Sequence, residues 1–119
     1  MSVVKGFVVK DTLKINHFED RAVAHARVAI TEGSRRFDKE KNEYVPIEGR
    51  TPLFIGIEFW GTQEVVHKHF DSLQNSTQLI EFTGFLCMKA YKREDGTQSV
   101  TPFMQVSSVS VLQKKSSQQ

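Results

Sequence analysis

The 119 residues are the length of one domain with one modest core. Hydrophobic residues at 39% and charged residues at 25% exclude a disordered chain. Sixteen Lys and Arg against fourteen Asp and Glu leave a formal charge of +2. That balance establishes no polyanionic partner by itself, and it permits one only where the positive charge gathers on one face.

The chain opens "MSVVKGFVVKD", where Lys5 and Lys10 interrupt the apolar run. This is no signal peptide, and nothing further along is long enough to span a membrane, so a cytoplasmic protein is expected. Residues 3–15 read as a strand with interruptions. "RAVAHARVAIT" alternates: Ala24, Ala26, Val28 and Ile30 face one way, and Val23, His25, Arg27 and Thr31 the other, the pattern of a half-buried strand. Between Glu32 and Thr51, "EGSRRFDKEKNEYVPIEGR" is rich in charge and punctuated by Gly33, Pro46 and Gly49. It reads as a long hairpin or projecting loop.

"TPLFIGIEFWG" follows as the third strand. One face takes Leu53, Ile55, Ile57 and Phe59, an unbroken apolar row; the other takes Phe54, Gly56, Glu58 and Trp60. The period then changes. In "TQEVVHKHFDSLQ" the residues Val66, Phe70 and Leu73 sit four and three apart, the stripe of a short amphipathic helix with Thr62 placed to cap it. A fourth strand over residues 79–91 puts Ile80, Phe82, Leu86 and Met88 on one face, with Gly84 in phase. Phe85, Cys87, Lys89 and Tyr91 fall on the other. "KREDGTQS" is a turn centred on Asp95-Gly96, and a fifth strand covers residues 100–112. The lone Cys87 excludes an internal disulfide and points to a reducing compartment. Residues 1–112 are therefore one domain, and "QKKSSQQ" over 113–119 is a short polar tail.

Five strands with one helix between the third and fourth describe an all-β OB-fold, a five-stranded Greek-key barrel whose curved face and loops commonly bind oligonucleotides. Phe37, Phe54, Trp60 and Tyr91 lie outside its core, interleaved with Arg35, Arg36, Lys39, Lys89, Lys92 and Arg93. Single-stranded nucleic acid asks for both: rings on which bases stack and cations that neutralise phosphates. Gly56 between Phe54 and Trp60 leaves open floor where a base can approach the backbone. The competing reading is that a subunit interface or a covering loop buries these rings.

Three stretches resemble the single-stranded DNA-binding protein family of bacteria and their phages. "AVAHARVAI" resembles the family's second strand, and "FIGIEFWG" followed by "TQEVV" its third strand and helix. "EFTGFLCMKAYKREDG" resembles the segment where a glycine opens a strand that ends in an aromatic before a hairpin turn. The likeness runs in order through residues 3–112. It implies that Phe37, Phe54, Trp60 and Tyr91 stack with bases of single-stranded DNA in replication or recombination, although the family often has Trp where this chain has Phe or Tyr. It also implies a homo-oligomer, a dimer or tetramer formed partly through the first strand, where "VVKGFVV" is apolar. Cellular members extend into a linker and an acidic tip that recruits replication and repair proteins. Here the last residues are "LQKKSSQQ", with no acid after Asp95, so such recruitment is not expected and a compact phage or mobile-element member is.

His67 and His69, two apart on a helix, point about 200° around from one another and not at one metal. Glu64 lies in the helix's first turn, where an acid suits the dipole. Asp71 either caps the helix or is solvated. Cys87 is a small residue between rings. No catalytic triad, Gly-rich phosphate loop or acidic metal cluster is readable, so no enzyme, cofactor or metal is expected. The alternative function is an OB-type protein-interaction adaptor of a replication or DNA-transfer complex, with the outer aromatics as its protein interface. An RNA-binding protein is a variant of the first reading, since stacking does not distinguish ribose from deoxyribose.

Overall fold

A computed structural model describes residues 1–74 and 76–112. The elements in order are β1 (Ser2–Val8), β2 (Lys14–Phe18), β3 (Arg21–Ile30), β4 (Arg35–Asp38), β5 (Glu43–Pro46), β6 (Leu53–Thr62), α1 (Gln63–Phe70), β7 (Ile80–Lys92) and β8 (Gln98–Val111). One sheet runs β1-β7-β8-β6-β3-β2, and an added β1–β3 pairing closes β1, β7, β8, β6 and β3 into a ring. β6 and β8 run parallel, and every other pair is antiparallel. This is the OB-fold expected from the order of elements, with the helix between the third and fourth barrel strands.

Closure depends on β1 crossing from one neighbour to the other. It pairs with β7 as far as Gly6↔Ile80 and with β3 at Phe7↔Ala29 and Val8↔Val28. At Gly6 the backbones press together: a Cβ there would stand 2.7 Å from the Ala29 carbonyl oxygen and 2.5 Å from Val28 Cγ1. Gly84 does the same on β7, where a Cβ would fall on the Gln105 carbonyl oxygen. There the β7–β8 register slips, Thr83 facing Ser108 and Gly84 facing Val106, and a bulge bends the strand around the barrel.

The single first strand expected over residues 3–15 is two strands. Asp11, at φ 65°, turns the chain between them. The Thr12 hydroxyl donates to the Val9 carbonyl (2.7 Å) and accepts from the Arg27 N–H (3.0 Å), so a side chain replaces a rung of the ladder. β2 then resumes along β3, from Lys14↔His25 to Phe18↔Arg21.

The interior is built from alternate residues: Ala22, Ala24, Ala26 and Val28 of β3, Ile55, Ile57 and Phe59 of β6, Ile80 and Phe82 of β7, and Met104 and Val106 of β8. Small alanines on β3 leave room for the helix, which inserts Val66 and Phe70, with Leu73 in the turn beyond it. The Thr62 hydroxyl accepts from the Val65 N–H (3.3 Å), the expected cap. Gln63 N–H donates to the Asp20 carbonyl and fixes α1 at the β2–β3 turn end of the barrel.

Leu86 and Met88 are not core residues as their spacing suggested; they are 49% and 60% exposed. β7 and β8 outrun the barrel. β6 meets β8 only at Phe103, Met104 and Gln105, and beyond Leu86↔Met104 the two strands continue as a free ribbon with no layer behind either face. Leu53, at the rim, is exposed for the same reason. The charged segment forms the expected hairpin, β4 paired with β5. Both ribbons leave the barrel at the end marked by Ile30↔Leu53, opposite α1.

Candidate nucleic-acid interface

Strand pairing sets which outer-face side chains lie side by side. Across the sheet run Arg27, Gly56, Phe103 and Cys87 in one row, and Phe7, Ala29 and Phe54 in the next. Trp60 sits beside Val23 and Asn16, two residues along from Glu58. Lys89 and Tyr91 continue the phase of Cys87 out along the ribbon. Phe54, Gly56, Trp60, Lys89 and Tyr91, five of the expected site residues, therefore share one face.

The rings on this face are braced from one side and open on the other. Trp60 is 43% exposed and stacks on Phe18 of β2, with centroids 5.7 Å apart and planes 28° from parallel. Val23, on the same outer face, is 1% exposed beneath this cover. Phe54 is 42% exposed, with the Arg27 guanidinium 5.8 Å from its centroid. Lys89 Nζ lies 4.6 Å from the centroid of Phe103. Such cation–π contacts fix where these two positive charges sit on the face.

A Cβ at Gly56 would stand 3.5 Å from Phe103 Cδ1, in ordinary contact, so the Phe103 ring borders the floor at Gly56.

Phe37 is on the separate β4–β5 sheet, and it is not alone. It pairs with Tyr44, the rings meeting edge to face at 5.3 Å. Arg35 and Phe37 alternate onto one face of this ribbon and Arg36 onto the other; Lys39 is in the turn, where Asp38 Oδ1 accepts from the Glu40 and Lys41 N–H groups. Arg35 and Tyr44 line a cleft with Lys5 and Phe7, and Phe7 lies across Ala29 from Phe54. Through that cleft the hairpin rings join the barrel face.

On the other ribbon, Lys92 alternates away from Tyr91, and Arg93 donates through Nε to Ser99 Oγ. Among the described residues the one close contact between a basic and an acidic side chain is His67–Asp71, so the expected phosphate ligands have no carboxylate partner there. In the ribbon turn the Asp95 carboxyl is held below its ordinary range, first by the Thr97 hydroxyl and then by the Thr97 N–H.

Several aromatics, half-buried Phe103 and exposed Tyr44, Phe85 and Phe18, went unassigned in the sequence. Phe103 would have emerged from testing the fifth strand for alternation, in which Thr101, Phe103 and Gln105 oppose Pro102, Met104 and Val106. Tyr44 would have required the centre of the β4–β5 turn. Phe85 was placed on the outer face, and it is 58% exposed there. Phe18, in the "NHFED" before the β2–β3 turn, carried no signal beyond being aromatic.

The ring, its parallel β6–β8 seam and the placing of α1 make this an OB-fold barrel with an aromatic outer face. The crystal structure of a small single-stranded DNA-binding protein from Streptomyces coelicolor shares that fold, with a TM-score of 0.69 over 92% of this chain and 91% of that one, at 16% identity. The fold implied by the three resembling stretches is thus borne out. No family model matches the sequence, and no curated protein does. No helix among the described residues is long and apolar enough to cross a membrane. The tail expected over 113–119 lies outside the described residues.

Proposed function

We propose that this protein binds single-stranded DNA with little regard to sequence, coating and protecting exposed strands during replication or recombination in the cytoplasm, and that it does no chemistry. The observation that carries this reading is the outer barrel face, where Phe54, Trp60, Phe103 and Tyr91 share one surface and cations lie over two of the rings. Bases stack on the open faces of the rings, at about 1–3 kcal/mol each. Arg27 and Lys89 hold phosphates between them, and Arg35, Arg36, Lys39, Lys92 and Arg93 extend the track along the two ribbons. Phe37 and Tyr44 act as one hairpin stacking unit. The likeness to the Streptomyces coelicolor protein supports the same reading.

Trp60 is the only tryptophan and stands on this face. Its fluorescence on titration with oligo-dT, and with duplex of equal length, tests the proposal. Strong quenching by oligo-dT, little by duplex, and weakening with salt are expected. Unchanged fluorescence at low salt with no mobility shift overturns it.

A protein partner is favoured by one observation: Leu86, Met88 and Val100 form an exposed apolar face on the ribbon. A second copy in a homodimer or homotetramer is one occupant, and a replication or transfer protein served by an adaptor is the other. Light scattering of the purified chain decides between them, since a monomer would leave that face to a different protein.

A further inference from the structure

His17 and His67, far apart in sequence, meet at the helix end of the barrel. His17 shares the inward phase of Ile15 on β2, but at the rim it reaches past the core to α1. Its Nε2 lies 2.7 Å from His67 Nε2. The ring centroids are 5.0 Å apart and the planes 18° from parallel. The nitrogen–nitrogen contact and the two ring radii span nearly all of that separation, so the rings meet nitrogen to nitrogen rather than face to face. Asp71, one helical turn beyond His67, accepts from its Nδ1 at 2.8 Å. Asp71 stands at the C-cap of α1, its N–H donating to the His67 carbonyl, and its exposed carboxylate also orients the His67 ring.

We propose that His17 and His67 form a two-imidazole site for a divalent late transition metal, with Asp71 behind it. Asp71 fixes the tautomer. With Nδ1–H committed to the carboxylate, His67 presents a lone pair at Nε2. His17 moves the proton of its Nε2 to Nδ1 by exchange with solvent and offers Nε2 in turn, so both ligands are neutral imidazoles. Metal–nitrogen bonds of about 2.0–2.1 Å need the two nitrogens about 3 Å apart and each ring turned by roughly 40° from the line that now joins them, a rotation open to exposed His17 and half-buried His67 at the rim. Imidazole ligands suit zinc, nickel and copper, with copper bound tightest. Among the described residues no group of three or more His, Cys, Asp or Glu side chains is placed to hold a metal, so water fills the remaining positions. The bound ion would tie β2 to α1, bracing the strand that carries Phe18 against Trp60. The site does not rest on the nucleic-acid reading.

The test is calorimetric titration of the tag-free protein with Zn2+, alongside Trp60 quenching by Cu2+, in wild type, His17→Ala, His67→Ala, Asp71→Asn and His69→Ala. One Zn2+ per chain is expected. Affinity should fall at least about ten-fold in either ligand variant and about ten-fold in Asp71→Asn, and hold in His69→Ala. Zn2+ should raise the melting temperature of wild type and not of His17→Ala, a change on an edge strand that leaves the core intact. Equal Zn2+ affinity in wild type and His17→Ala, or an equal loss in His69→Ala, overturns the proposal.

Discussion

Trp60 owes its usefulness to its neighbours. On β6 the inward residues Ile55, Ile57 and Phe59 are 2%, 1% and 7% exposed, and they lock the strand so that Trp60 can only face out. Phe18 then takes one side of the indole and leaves the other free. Trp60→Ala should cost about 1–3 kcal/mol of oligo-dT binding with the fold unchanged, as measured by titration and circular dichroism. Phe103→Ala should cost at least as much, because it removes a ring and frees Lys89 from its place over that ring. At Asp95 the lowered carboxyl stabilises the ribbon turn at pH values above its unfolded value of 3.8. That support is lost as pH falls through the lower folded value, which the Thr97 amide shift should follow. Trp60 and Phe54 were legible because strict alternation exposes them. Phe103 was hidden in "TPFMQ", in a strand known only by its extent, and Tyr44 depended on where a turn is centred.

At the scale of elements, what is local was readable and what depends on length was not. The helix announced itself through Thr62 and the Val66, Phe70 and Leu73 stripe, because caps and stripes are set within a few residues. Thr62→Ala should lower stability by about 1 kcal/mol. Phe70→Ala, which empties a fully buried site, should lower it by about 3–5 kcal/mol in chemical denaturation. Leu86 and Met88 obey the same period-two rule as Ile80 and Phe82, yet no core lies behind them. Alternation says which residues share a face, but not whether a second layer covers it. The break at Asp11 was equally silent, since it turns on the Thr12 hydroxyl meeting a partner on β3.

For the whole molecule, the barrel separates two ends. One carries both ribbons and their cations; the other is plugged by α1. If the cations grip phosphates as proposed, the logarithm of affinity should fall against the logarithm of salt with a slope of about −0.7 per phosphate neutralised. Removing Lys89 and Arg27 together should make that slope shallower by about 1.4 if each holds one phosphate. The fold could be assembled from the sequence because its element order is distinctive. The row that sets Phe7 across Ala29 from Phe54, beside the hairpin cleft, could not, because the closure at Gly6 brings Phe7 beside Ala29.

The free ribbon of β7 and β8 has a further consequence. Past the barrel rim each of its strands has a row of backbone N–H and C=O groups facing water, an invitation for ribbons of neighbouring molecules to zip together. Lys89 and Lys92 stand on opposite faces of β7, so a strand docking along the β7 edge meets charge on either face. The same lysines proposed to grip DNA would then guard that edge while no DNA is present. A Lys89→Thr, Lys92→Thr variant should cloud on standing where the parent stays clear, and adding oligo-dT should slow the clouding.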